Sequence, residues 1–178
     1  MISGENRRII NAIQKLNPDY ETMNDLFGMA IAVFEEDDME LPYALKLTKY
    51  VKDMIAYLPS SNSLNELYWN ILLWEAPYHF ESFLLYMEKN RAEEEKFYQP
   101  RRNPLKQVVD AIQELADDDL DELFINQPPR TGKTQIVKFA FIWFGSRNTE
   151  LSNLYTAFSD KITKAFYTCL LYTSPSPR

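Results

Sequence analysis

Cysteine and histidine are almost missing from this chain: Cys169 and His79 are the only ones in 178 residues. One cysteine excludes a disulfide framework and any multi-cysteine zinc site. One histidine leaves no pair for a metal or a catalytic dyad. Glycine is scarce at four residues while aromatics reach 14%, a balance that argues against disorder and Gly-rich linkers. There is no run of about 18 apolar residues, and Arg7 and Arg8 lead into an amphipathic stretch rather than a signal-peptide core. No membrane association and an intracellular location are therefore expected. With 46% hydrophobic and 25% charged residues, a globular chain with a real core is expected. The length allows one full domain, or a small one and part of another.

Charge is uneven. Residues 1–97 hold nine Lys and Arg against seventeen Asp and Glu, net −8, whereas residues 98–178 hold ten against nine, net +1. Phosphate backbones attract clustered Lys and Arg, so the first half is a poor nucleic-acid footprint.

Residues 1–97 read as a helical N-terminal region. Ile9, Ile10, Ile13 and Leu16 form one apolar stripe; Met23, Leu26, Phe27, Ala30 and Phe34 form another at helical spacing. Glu35 to Asp38 close that second helix in a solvated loop. Leu45, Leu47, Val51 and Ile55 suggest a third helix, ended at residues 58–62. A fourth starts near Ser63, with Glu66 completing a capping box, and Leu67, Tyr68, Ile71 and Leu72 give its apolar face. Pro77 breaks the pattern, so Phe80, Phe83, Leu84 and Met87 belong to a separate helix. The aromatics between 68 and 86 read as core rather than as a stacking platform for bases. His79 reads as a helix-start hydrogen-bonder.

From residue 98 the pattern changes. Residues 98–104 form a basic, proline-punctuated connector into a helix with Leu105, Val108, Val109, Ile112 and Leu115 inward, which Asp117, Asp118 and Asp119 end. Leu123-Phe124-Ile125 reads as a short buried strand, 133–144 as a helix, and 153–158 as a second strand. Helix, strand, loop, helix, strand predicts the beginning of an α/β domain with a parallel sheet over 98–168. Residues 169–178 resemble translated vector or adapter read-through, so the chain is expected to be an N-terminal fragment whose sheet is truncated.

Between the expected strand and helix lies Pro128-Pro129-Arg130-Thr131-Gly132-Lys133-Thr134. Gly-Lys-Thr at such a turn is the heart of a phosphate-binding loop, in which backbone N–H groups and a helix N-terminus converge on an anion. Gly132 allows close approach of the backbone. Lys133 is placed for β- and γ-phosphates, and the Thr134 hydroxyl for Mg²⁺. The full pattern asks for glycine at position 127, where this chain has Gln127. The alternative is a surface turn that happens to contain these residues.

The variant Pro-Pro-Arg-Thr-Gly-Lys-Thr, together with residues 73–80, 85–91, 97–102 and 152–160, resembles the large terminase subunit of tailed phages, the ATPase of the DNA-packaging motor. The likeness spans roughly Pro18 to Tyr167. It implies a P-loop (RecA/ASCE-like) α/β parallel-sheet ATPase following the helical region. It implies ATP and Mg²⁺ as cofactors, and a cofactor-binding set of Pro129, Arg130, Thr131, Gly132, Lys133 and Thr134, with Thr134 on the metal. Lys133 and Arg130 would be the catalytic residues, and Tyr98 and Gln99 would stack on and read adenine. Double-stranded DNA, a small terminase subunit and the portal are the implied partners, with a homo-oligomeric motor in the host cytoplasm. The acidic residue that positions the attacking water, and the nuclease site, would lie beyond residue 168, so the fragment is expected to be poorly active alone. Two other readings stay open: a helicase-like DNA translocase, and a non-catalytic helical interaction module with a vestigial loop.

Overall fold

The computed structural model describes residues 3–147, 154–157 and 159–173, which form two compact units, Met1–Glu75 and Ala76–Arg178. Among the described residues there are helices and no strand. This corrects the expected α/β parallel-sheet domain. Residues 122–128 carry no regular structure, and Phe124, expected inside a buried strand, is 88% exposed. A strand needs a neighbour to pair its N–H and C=O groups, and a three-residue apolar run alone provides none. Of the second expected strand, residues 154–157 are irregular and residues 153 and 158 lie outside the described residues.

The first unit is a helical cluster. Helix α1 (Gly4–Ile13) is capped by Ser3, whose Oγ accepts from the Asn6 amide at 3.1 Å. It buries Ile10, while Ile9 and Leu16 of the expected stripe stay exposed. Asn6 Nδ2 donates to Glu36 at 3.1 Å and so ties α1 to the end of α2 (Tyr20–Glu36). Asp19 caps α2 through the Thr22 amide at 2.8 Å, and its hydrogen bonds to Thr22 hold its carboxyl below the usual range. Asp37 ends α2 in an extended conformation, as the acidic run suggested. Helix α3 (Leu41–Tyr57) carries Pro42 in its first turn, where no N–H is needed.

Helix α4 (Asn62–Glu75) completes this unit. Its first-turn amide at Leu64 donates to Ser61 Oγ at 3.2 Å, so the cap is Ser61 and not a box starting at Ser63. Met23, Leu26, Ala30, Val33, Ala44, Leu47, Val51, Leu67 and Ile71 make the core. Trp74 meets Phe27 and Phe34 edge-on, with centroids 6.3 and 5.8 Å apart, an arrangement favoured by the ring quadrupoles. The expected core role of that aromatic is borne out.

The second unit contains α5 (Phe80–Met87), α6 (Arg102–Ala116), α7 (Lys133–Arg147) and α8 (Asp160–Thr173). His79 caps α5, its Nδ1 accepting from the Ser82 amide. Gln113 of α6 reaches the same helix start: its Oε1 accepts from the Phe80 amide at 2.8 Å and its Nε2 donates to the Tyr78 carbonyl at 3.1 Å. Helix α6 ends in Asp118 at φ 60°, and the Asp119 amide reaches back to the Glu114 carbonyl at 2.9 Å. That is the 6→1 bond of a Schellman ending.

Helix α7 is apolar on more than one side, the mark of a helix covered by several neighbours. Ile136, Phe139, Ala140 and Trp143 are buried. Trp143 lies 5.0 Å from Phe80 and donates to the Ala76 carbonyl at 2.7 Å. Phe141 faces α8, where Phe166 meets it edge-on at 5.5 Å and stacks on Tyr155 at 3.8 Å. Helix α8 runs through 169–173, while 174–178, the rest of the expected foreign tail, lie outside the described residues. Among the described residues no helix is long and apolar enough to cross a membrane.

Candidate functional site

The site begins with two carboxylates. Glu81 in α5 and Glu88 just after it are both buried, and burying a charge is tolerated only when it is paired or well hydrogen-bonded. Glu88 accepts from three consecutive backbone amides: Phe97 at 2.6 Å and Tyr98 at 2.5 Å on Oε1, and Gln99 at 3.0 Å on Oε2. Glu81 accepts from the Tyr98 hydroxyl at 2.6 Å and from Arg102 Nε at 2.8 Å. Burial alone would raise the Glu81 pKa. The hydrogen bonds from Arg102 and Tyr98 and the charges of Arg102 and Lys106 outweigh it and hold the carboxyl below its ordinary range. The Tyr98 hydroxyl is pushed up, first by burial and then by Glu81. The connector at 97–102 is thus pinned to α5.

Pinning the connector places Phe97 against the loop. Gly132 has φ +101°, and a Cβ built on it would overlap Phe97 Cε2 and lie 3.0 Å from Cζ of the same ring. Glycine is required there twice, by the backbone and by the ring. Phe97 also stacks with Phe139 of α7, the ring centroids 6.1 Å apart. Arg130 also takes a left-handed conformation, φ 67°. The Thr131 hydroxyl sits 3.0 Å from the Pro128 carbonyl and 3.2 Å from Gln127 Oε1, so the residue standing where a glycine was expected closes the turn with its side chain. The Gly132 carbonyl accepts from the Gln135 and Ile136 amides at 3.0 and 3.1 Å, which starts α7.

Around this turn lies a cleft of about 410 Å³, lined by Phe97, Arg101, Pro128, Pro129, Arg130, Gly132, Lys133, Thr134 and Gln135. The lining holds three cations and no carboxylate, in a chain of net charge −7. It lies at a helix start, where N–H groups without intrahelical partners favour anions. The structure therefore brings together Pro129, Arg130, Gly132, Lys133 and Thr134, with Thr131 inside the turn. It does not bring in Tyr98: that side chain is fully buried, and its hydroxyl is committed to Glu81. Gln99 is half-buried and is not part of the lining, although it sits two residues from Phe97 and from Arg101.

The donor set fits polyphosphate, and the volume lies in the range of small-molecule sites. For Mg²⁺ the lining offers the Thr134 hydroxyl, and among the described residues no group of three or more His, Cys, Asp or Glu could hold a metal. A metal at Thr134 would thus depend on oxygens brought by the ligand, as Mg²⁺ commonly does. Sequence reasoning missed Glu81, Glu88, Phe97 and Arg101. A glutamate within the apolar stretch of Phe80, Leu84 and Leu85, and a second one seven residues on at the end of that helix, were the available signal.

Set against models of known families, curated proteins and solved structures, the chain matches none of them.

Proposed function

We propose that the turn at 128–134 binds the phosphates of a nucleotide and that the chain is the ATP-binding part of a large terminase subunit. The observation that carries the phosphate reading is the cleft, whose three cations meet no carboxylate at the start of α7. The terminase reading rests on the likeness of Pro128 to Thr134 and of the connector at 97–102 to that family. In this reading Lys133 and Arg130 neutralise phosphate charge, the backbone at Gly132 approaches it closely, and Thr134 donates an oxygen to Mg²⁺. Hydrolysis of ATP would serve movement of double-stranded DNA, alongside a small subunit, a portal and further copies of the chain in the host cytoplasm. A helicase-like translocase shares the same loop chemistry.

The test is calorimetric titration of the protein with ATP and Mg²⁺. Lys133→Ala should weaken binding by at least about tenfold, the equivalent of ~1.4 kcal/mol, with unchanged helix content by circular dichroism. One observation favours the non-catalytic interaction module: no strand underlies the turn among the described residues. That module predicts no heat of binding for wild type and variant alike.

A further inference from the structure

Arg101 and Arg130 are far apart in sequence, yet both stand in the wall of the same cleft. Arg101 ends the short 3-10 turn Gln99–Arg101 and is held there by two contacts with Phe97. Its Nη1 donates to the Phe97 carbonyl at 3.3 Å, and its guanidinium lies 5.9 Å from the Phe97 ring centroid. Phe97 in turn touches Gly132 and stacks on Phe139 of α7. The guanidinium is therefore oriented by the same ring that packs on the phosphate turn. One N–H of five is used in the carbonyl bond, and the planar fork of arginine suits phosphate oxygens.

Resting on the phosphate reading above, we propose that Arg101 is a phosphate-binding residue that makes the cleft selective for a chain of phosphates over a single one. Lys133 and Arg130 stand on the turn and α7, while Arg101 comes from the connector, so the cleft presents cations from two separate segments. A volume of about 410 Å³ is more than ten times the ~30 Å³ that one water occupies in the liquid, so a single phosphate leaves most of it empty. A polyphosphate can meet both cationic walls at once.

The experiment is calorimetric titration of the full chain with inorganic tripolyphosphate and, separately, inorganic phosphate, for wild type, Arg101→Ala, Arg101→Lys and Lys133→Ala. Thermal melts of each variant check that the fold survives. Tripolyphosphate should bind wild type more tightly than phosphate does. Arg101→Ala should lose about tenfold for tripolyphosphate and little for phosphate, and Arg101→Lys should recover part of that loss as a point charge. Unchanged tripolyphosphate affinity in Arg101→Ala, with Lys133→Ala weakened, overturns the role of Arg101 and leaves the phosphate reading standing. Equal losses for both anions overturn the selectivity. Absence of binding to wild type overturns both readings.

Discussion

Gly132 carries two constraints that a side chain cannot meet together: a left-handed backbone and a ring standing where a Cβ would go. Gly132→Ala should therefore cost about 1–3 kcal/mol, the range for backbone strain of this kind, and should push Phe97 off the turn. Thermal denaturation and phosphate titration of that variant check both effects. Glu81 makes a pH-dependent contribution at the same scale. Its folded-state carboxyl is held below the ordinary 4.5, so the folded state takes up its proton less readily than the unfolded chain does. That stability is complete above the ordinary value and is lost as pH falls through the lowered one. Arg102→Gln should remove about 0.5–1.5 kcal/mol at neutral pH, a modest figure because Arg102 is half exposed. Acid unfolding followed by circular dichroism should then show stability depending less steeply on pH below 4.5. The loop residues were legible in the sequence because a glycine before Lys-Thr has a local backbone meaning. Tyr98 was not, because whether its ring faces a ligand or Glu81 depends on a contact 17 residues away.

At the scale of elements, helix ends decide more than helix middles. Asp118 holds the left-handed position after α6, where glycine pays no Cβ penalty. Asp118→Gly should raise stability by at most about 1 kcal/mol, part of the gain being offset by glycine's greater freedom when unfolded. A chemical denaturation midpoint that falls instead would show that the Asp118 side chain matters beyond its backbone. The helices themselves were legible, since α2, α3 and α6 bury residues at helical spacing. Caps were harder: Ser61 and Ser63 both suit a helix start, and only the Leu64 amide bond to Ser61 separates them. Leu123-Phe124-Ile125 misled for a related reason. An apolar triplet has strand propensity, but a strand is made by its partner, and none stands beside it among the described residues.

At the scale of the whole chain, the division into two compact units falls between Glu75 and Ala76, whereas the composition changes near residue 98. The charge shift falls at the cationic connector, within the second unit, to which α5 with its buried Glu81 and the buried Glu88 just after it also belong. The second unit has a helical core around Phe80, Leu105, Ile136 and Trp143, all fully buried. It leaves residues 120–128 as an irregular segment with Phe124 exposed. Proteases need an extended backbone, which exposed irregular segments supply and packed helices do not. Brief chymotrypsin digestion should therefore cut at Phe124 before the aromatics of α5 or α7, although Tyr57 near the end of α3 is nearly as exposed at 84%. Ligand bound at the turn should slow that cut, because Phe124 lies only four residues before Pro128 of the cleft wall. First cleavage inside α5, α6 or α7, read by mass spectrometry of the earliest fragments, would mean that those helices open more readily than the segment between them.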